Sequence, residues 1–132
     1  MTDVGAAEVD RLVDEFFEAV SAGDLATLER LYSPTVEVWH NYDDVAQTRS
    51  ESLRLLAYLH RTAGPLRYRE VRRQTLPDGV VQQHVVELDG VAAGLRMPAM
   101  LRIYCDRGQI TRIEEYVDPG PLNQRLSTTV RK

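Results

Sequence analysis

Two tight-turn sequences in the second half of the chain place the strongest limit on its fold. The segments 77–79 (Pro-Asp-Gly) and 106–108 (Asp-Arg-Gly) each separate two stretches rich in β-branched and aromatic residues. Turns this short join antiparallel neighbours, because parallel strands need a much longer connection. We therefore predict a meander of strands, with candidate segments at residues 67–76, 80–88, 96–105 and 109–117.

The first half of the chain has the spacing of helices instead. Between residues 6 and 22, apolar side chains recur every three or four positions and form one stripe: Val9, Leu12, Val13, Phe16, Phe17 and Val20. Gly23 is suited to end this helix, and Asp24 to cap a second helix over residues 25–32, before Ser33-Pro34. Residues 36–42 then predict a strand.

A capping-box pattern begins a third helix. Thr48 and Glu51 have the spacing at which hydroxyl and carboxylate satisfy backbone N–H groups, and Gly64-Pro65 ends the helix. Helices grouped ahead of a meander predict an α+β fold, a single domain over residues 1–132. We expect three helices to pack on a curved antiparallel sheet and leave an internal pocket. Residues 122–132 form either a short helix or a flexible tail.

The charge and cysteine content exclude several function classes. Lys and Arg number 16 against 20 Asp and Glu, so the net charge of −4 argues against nucleic acid or an anionic membrane as partner. A single cysteine, Cys105, cannot build a disulfide framework or a cysteine-based zinc site. The three histidines lie on separate elements, so we expect no metal. Without a signal peptide or a membrane span in the sequence, we expect a cytoplasmic protein.

The element order and several local strings resemble the nuclear transport factor 2-like superfamily, and within it the SnoaL-like branch. The strings are SAGDL at 21–25, VWHNYD at 38–43, VQQHV at 81–85 and GQITRIEEYVDP at 108–119. This branch is related to polyketide cyclases, ketosteroid isomerase and limonene epoxide hydrolase. The resemblance implies a cone-shaped fold with a deep, mostly apolar pocket. It also implies acid–base chemistry without a metal or organic cofactor, and a homodimer formed through the outer face of the sheet.

Glu115 is the first candidate for catalysis. Alternation along the last strand places it on one face with Ile113 and Val117. If that face is the core, a carboxylate points into an apolar cavity, where it costs several kcal/mol unless it is paired or protonated. Such a group suits a general acid or base. A register slip of one residue would instead leave Glu115 at the surface or paired with an arginine.

The first strand offers candidates on both faces. His40 and Tyr42 share one face, and Trp39 and Asn41 share the other. The resemblance to epoxide hydrolases implies that Trp39 and Asn41 face the pocket, although Trp cannot accept a hydrogen bond from a catalytic water. In the other register His40 faces inward and could act as a base. The sequence leaves both faces open.

The third site candidate is the pair Gln82 and His84, two apart on one strand face. A neutral histidine near Glu115 would form an acid–base pair, whereas a histidine on a half-exposed strand would have no catalytic role. We therefore expect a cofactor-free enzyme for isomerisation, cyclisation, dehydration or epoxide hydrolysis of an apolar carbonyl, hydroxyl or epoxide compound. The alternative is a non-catalytic ligand-binding module or partner subunit. The predicted catalytic residues are Glu115, His84 and His40, and the predicted substrate-binding residues are Trp39, Asn41, Gln82, Phe16 and Tyr42.

Overall fold

The computed structural model describes residues 2–90 and 93–130 of the chain. The elements in chain order are α1 (Thr2–Ala22), α2 (Leu25–Leu31), β1 (Tyr32–His40), β2 (Ala46–Gln47), α3 (Arg49–Ala63), β3 (Leu66–Leu76), β4 (Gly79–Leu88), β5 (Arg96–Asp106), β6 (Gln109–Val117) and α4 (Gly120–Val130). The predicted α+β class is confirmed. The segment expected to be a short helix or a flexible tail is helical up to residue 130, and residues 131 and 132 lie outside the described part.

The strands form one mixed sheet in the order β2-β1-β6-β5-β4-β3. The meander from β3 to β6 is antiparallel as predicted, but β1 pairs with β6 in parallel. This corrects the expectation of a wholly antiparallel sheet. The long connection through α3 and the meander supplies the crossover that a parallel pair requires.

The first strand begins and ends earlier than predicted. It starts at Tyr32, immediately after α2, and the β1–β6 register shifts between Tyr32 and Glu37. Pro34 lies inside this irregularity, where a residue without an N–H group can be tolerated in a sheet. The strand ends at His40, so Tyr42 lies in the turn that follows.

Both predicted helix caps are confirmed. The Asp24 carboxylate accepts a hydrogen bond from the Thr27 backbone N–H at 3.2 Å. Thr48 and Glu51 form the reciprocal capping box at the start of α3. These caps satisfy N–H groups that the first helical turn leaves free, and they fix where α2 and α3 begin.

The core has two parts, one packed against the first half of α3 and the other against its end. One cluster joins α1 and α2 to the sheet, centred on residues such as Val13, Leu28 and Ile103, which are fully buried. A second cluster lies between α4 and the distal part of β4 and β5, and includes Leu88, Leu122 and Leu126. Within the described residues, no helix has the length and apolar character needed to cross a bilayer.

Candidate functional site

The helices and one face of the sheet enclose a cavity with two chambers. The inner chamber measures about 60 Å³ and the outer chamber about 340 Å³. Six residues line both chambers, and we call them the neck: Val20, His40, Leu55, Leu56, Tyr68 and Glu115. The inner chamber lies against α1 and β1, whereas the outer chamber extends toward α4. Among the described residues, Glu115 is the one carboxylate of the cavity wall, and it stands where the chambers meet.

His40 and Glu115 form an acid–base pair in the neck. They are register partners on the parallel strands β1 and β6, so their side chains leave the sheet on the same face. His40 Nε2 lies 3.2 Å from Glu115 Oε1, and the two side chains are 8% and 23% exposed. His40 Nδ1 is buried and has no hydrogen-bond partner among the described residues. The arrangement leaves the carboxylate accessible from the cavity while one wall holds an imidazole beside it.

The phenols of Tyr32 and Tyr68 line the cavity together with this pair. The Tyr32 hydroxyl lies 3.0 Å from Ser52 Oγ in a buried hydrogen bond. Burial raises the pKa of Tyr32 to about 12, and the negative charge of Glu115 acts in the same direction. Burial also raises the pKa of Tyr68, again with a contribution from Glu115. Both phenols therefore keep their protons at neutral pH and can donate hydrogen bonds.

Sequence reasoning missed Tyr32, Tyr68 and Ser52. Tyr32 follows the last turn of α2, and its spacing from Leu28 predicts that it belongs to that helix, although it begins β1. Tyr68 stands two residues after Leu66 on β3, and both side chains line the outer chamber. The available signal was a phenol on the apolar face of an alternating strand, which requires a polar partner when it is buried.

His84 does not line either chamber, because it is covered by aromatic rings. Its ring centroid lies 4.8 Å from that of Tyr68 and 5.4 Å from that of Phe17. The carboxylate of Glu115 contacts His40, so the predicted pair of Glu115 with His84 is replaced by the pair with His40. His84 therefore lies behind the side chains that line the two chambers.

A hydrogen-bonded chain fixes the protonation of His84. Arg73 Nε donates to Gln82 Oε1 at 2.8 Å, so the amide nitrogen of Gln82 faces His84 Nδ1, also at 2.8 Å. The amide must donate, and Nδ1 therefore accepts and Nε2 carries the proton of a neutral imidazole. The Arg73 guanidinium is itself paired with Asp14 at 2.8 Å. Gln82 is thus a buried supporting residue behind the wall and does not line either chamber.

The remaining predicted binding residues divide between the cavity wall and positions outside the cavity. Phe16 lines the inner chamber, and Tyr42 lines the outer chamber with its ring stacked on His40 at 5.0 Å. Trp39 lies on the opposite face of β1 from His40, because side chains alternate along a strand. Asn41 follows in the turn after the strand, and neither residue lines a chamber. Trp39 Nε1 donates to Asp44 at 2.7 Å, and Asn41 Oδ1 accepts from the Val117 backbone N–H at 2.9 Å. This placement corrects the expectation that Trp39 and Asn41 contact the substrate.

The buried, neutral state of His84 predicts a pH-dependent stability. Burial lowers the pKa of His84 from 6.5, and the positive charge of Arg73 adds to this effect against the opposing charge of Glu115. The unfolded chain then binds a proton more readily than the folded protein, so stability falls as the pH drops below about 6.5. We expect His84→Gln to show a smaller decrease in Tm than the wild type between pH 7.5 and 5.5, by differential scanning fluorimetry.

His60→Gln is the matched control for this measurement, since it removes a less buried histidine from α3. It should retain the wild-type dependence of Tm on pH. An unchanged dependence of Tm on pH in His84→Gln would contradict the assignment of a neutral buried imidazole.

Among the described residues, no group of His, Cys, Asp or Glu has an arrangement that could hold a metal ion.

Solved structures with similar folds come from several bacteria. A candidate polyketide cyclase from Xanthomonas campestris pv. campestris aligns with a TM-score of 0.77 at 17% identity, over 92% of this chain and 98% of that one. A candidate SnoaL-like polyketide cyclase from Shewanella denitrificans OS-217 aligns with a TM-score of 0.73 at 16% identity, over 90% and 96%. A candidate ketosteroid isomerase from Kribbella flavida aligns with a TM-score of 0.66 at 16% identity, over 86% and 79%.

These similarities concern the fold, because the identities are low. No curated protein matches the sequence. The sequence model of the SnoaL-like domain, however, matches residues 13–113, which include both β1 and the part of β6 up to Ile113. The chain therefore belongs to the SnoaL-like family, as its local strings and element order predicted.

Proposed function

We propose that this protein is a cofactor-free enzyme that removes a proton from a carbon atom adjacent to a carbonyl group in an apolar compound. The observation that carries the proposal is the His40–Glu115 pair, 3.2 Å apart in the neck of a mostly apolar cavity. A carboxylate that is held in place at the wall of such a cavity can reach a C–H bond of a bound compound, which suits general-base catalysis. The family includes proteins assigned to this kind of chemistry, which supports the class of reaction.

Four polar side chains of the cavity have roles in this reaction. The Glu115 carboxylate takes the proton, and the electrons of the C–H bond form the C=C bond of an enolate. The negative charge moves to the carbonyl oxygen, where the protonated phenols of Tyr32 and Tyr68 are suited to stabilise it. His40 lies beside the carboxylate and orients it. Return of the proton at another carbon completes an isomerisation. In a cyclisation the enolate carbon forms a bond to a second carbonyl carbon, and the resulting alkoxide takes the proton back from Glu115.

The geometry favours these outcomes over epoxide hydrolysis. Opening an epoxide by hydrolysis needs a water molecule held by side chains in the cavity. Trp39 and Asn41, which the resemblance to epoxide hydrolases suggested for that task, do not line either chamber, and they are hydrogen-bonded to Asp44 and Val117. Dehydration of a β-hydroxy carbonyl compound begins with the same removal of a proton, so the proposed function includes it.

A ligand-binding module is the second candidate function. It is favoured by the wall of the outer chamber, which consists mainly of aliphatic side chains beyond the neck: Leu59, Leu66, Val86, Met97, Val117, Leu122 and Leu126. A binding module would hold an apolar ligand equally well without the charge of Glu115. Catalysis, in contrast, requires that the protein exchange protons with the bound compound.

The proposal is tested by hydrogen–deuterium exchange at the α-carbon of an apolar ketone in D₂O, followed by NMR. With 2-naphthylacetone as probe, the wild type should accelerate exchange in a saturable manner above the buffer rate. Tyr32→Phe removes one hydrogen-bond donor to the enolate, and we expect it to lower the enzymatic rate by roughly 10²-fold. Tyr104→Phe is the control, because the Tyr104 hydroxyl donates to Glu114 at 3.2 Å on the other face of the sheet. Ketone binding without any accelerated exchange would instead support the binding module.

A further inference from the structure

The neck divides the cavity into chambers that accept groups of different size. An apolar cavity of about 150 Å³ holds one benzene molecule. The inner chamber, at about 60 Å³, is therefore too small for a ring, and takes only a group of a few non-hydrogen atoms. The outer chamber, at about 340 Å³, has room for a body the size of two fused rings. A ligand that fills both must have a large part and a small part joined at the neck.

The most deeply buried polar side chains of the cavity, Tyr32 and Ser52, lie at its inner end. Tyr32 and Ser52 line only the inner chamber, while Tyr68 and Glu115 stand in the neck. The walls of the outer chamber are mainly aliphatic, and its polar side chains beyond the neck are exposed: Tyr42 at 44%, Tyr58 at 42%, and Asn123. The small part of the ligand should therefore carry the oxygen atom, and the large part should be apolar.

The charge of the walls limits the ligand further. Neither chamber is lined by a Lys or Arg side chain among the described residues. A carboxylate or phosphate in the inner chamber would lie near the Glu115 carboxylate without a cation to compensate it, which opposes its binding. The site therefore favours an uncharged oxygen group.

We propose that the substrate is an uncharged ketone with an apolar body of about two rings and a small acyl head, such as acetyl, which enters the inner chamber. The acidic C–H bond lies in the neck, between the body and the head, beside Glu115. This inference rests on the proposed proton transfer for its chemistry, but the fit of head and body to the chambers is a separate property. Leu101 on β5, the register partner of Glu115, limits the size of the head.

The first experiment measures binding of three probes to the wild type by isothermal titration calorimetry. 2-Naphthylacetone has an acetyl head, and 1-(2-naphthyl)-3,3-dimethylbutan-2-one has the same body with a head enlarged by three methyl groups on the terminal carbon. 2-Naphthylacetic acid has a small but charged head. We expect the acetyl ketone to bind about tenfold or more tightly than either of the others.

The second experiment locates the head by enlarging one chamber at a time. Leu101→Ala enlarges only the inner chamber, whereas Leu59→Ala makes the same change in the outer chamber, on α3. Leu101→Ala should improve binding of the enlarged ketone relative to the acetyl ketone by about tenfold, and Leu59→Ala should leave this ratio at its wild-type value. A thermal melt of each variant establishes that the protein is folded during the binding measurement. If a variant does not fold, the preference of the wild type for the acetyl ketone over the enlarged ketone decides whether the inner chamber limits the size of the head.

The two proposals fail in different ways. Equal binding of the two ketones, stronger binding of the acid, or no binding of the acetyl ketone overturns the assignment of head and body. A shift of the ratio by Leu59→Ala, and not by Leu101→Ala, also overturns it. Size-selective binding without accelerated α-proton exchange supports the chamber assignment and overturns the proton-transfer function on which its chemistry rests.

Discussion

Glu115→Gln should lower the rate of α-proton exchange of an apolar ketone by roughly 10²- to 10⁴-fold, the usual contribution of a general base. The amide has nearly the shape of the carboxylate, so it fills the same place in the neck beside His40. It cannot take a proton from carbon, because its oxygen is a far weaker base. The rate is measured by NMR in D₂O at saturating 2-naphthylacetone, and the Tm of each protein by calorimetry.

Glu114→Gln is the matched control for this variant. Glu114 neighbours Glu115 on β6 but points to the other face, where it accepts hydrogen bonds from Arg112 at 2.9 Å and Tyr104 at 3.2 Å. The same change of charge and shape is thus made one residue away, outside the cavity. We expect the Glu114 variant to exchange the ketone proton at the wild-type rate. Loss of its hydrogen bonds should lower only the Tm.

Two results would contradict the role assigned to Glu115. One is a variant that retains the wild-type exchange rate, which removes the carboxylate from proton transfer. The other is an equal loss of rate in both variants, which attributes the effect to the net charge of the strand. A loss of rate with unchanged binding of the ketone separates the base from a residue that only holds the ligand.

The faces of the strands could be predicted from the sequence wherever alternation is regular. Ile113 is buried on β6, and alternation from it places Glu115 inward, as expected. Ile110, three residues earlier, is also buried because the β5–β6 register shifts between Ile110 and Arg112. On β1 the pattern was ambiguous because His40 and Trp39 are both large and amphipathic. The register of β1 against β6, which involves residues distant in the chain, brings His40 to Glu115. Local spacing holds no information on such a pairing.

The sequence also could not assign the chemistry of buried polar groups. His84 and Gln82 are both buried on the inward face of β4, which alternation predicts, but aromatic rings separate the histidine from the cavity. Tyr32 was hidden at the junction of α2 and β1, where helical spacing and strand character overlap. The depth of a side chain behind a wall depends on the packing of several elements, and one-dimensional patterns do not record it.

We expect the largest effect on stability from a substitution of Gly79, in the tight turn between β3 and β4. Gly79 is buried at the start of β4 with φ 150°, a backbone conformation that side-chain-bearing residues rarely adopt. A Cβ atom at this position would lie 1.9 Å from the carbonyl oxygen of Ile103 on β5. Gly79→Ala should therefore lower the free energy of unfolding by more than about 3 kcal/mol, as measured by urea denaturation.

Gly108→Ala distinguishes the clash from the cost of backbone conformation. Gly108 lies in the corresponding turn before β6, with φ 77°, and a Cβ there meets no atom within 4 Å. Its substitution should cost only about 1–2 kcal/mol, the penalty of the left-handed conformation. Equal losses for the two variants would show that the contact with Ile103 does not limit the approach of β4 and β5. These strands carry His84 and Leu101, so a looser pairing at Gly79 should also weaken the discrimination between small and large ketone heads.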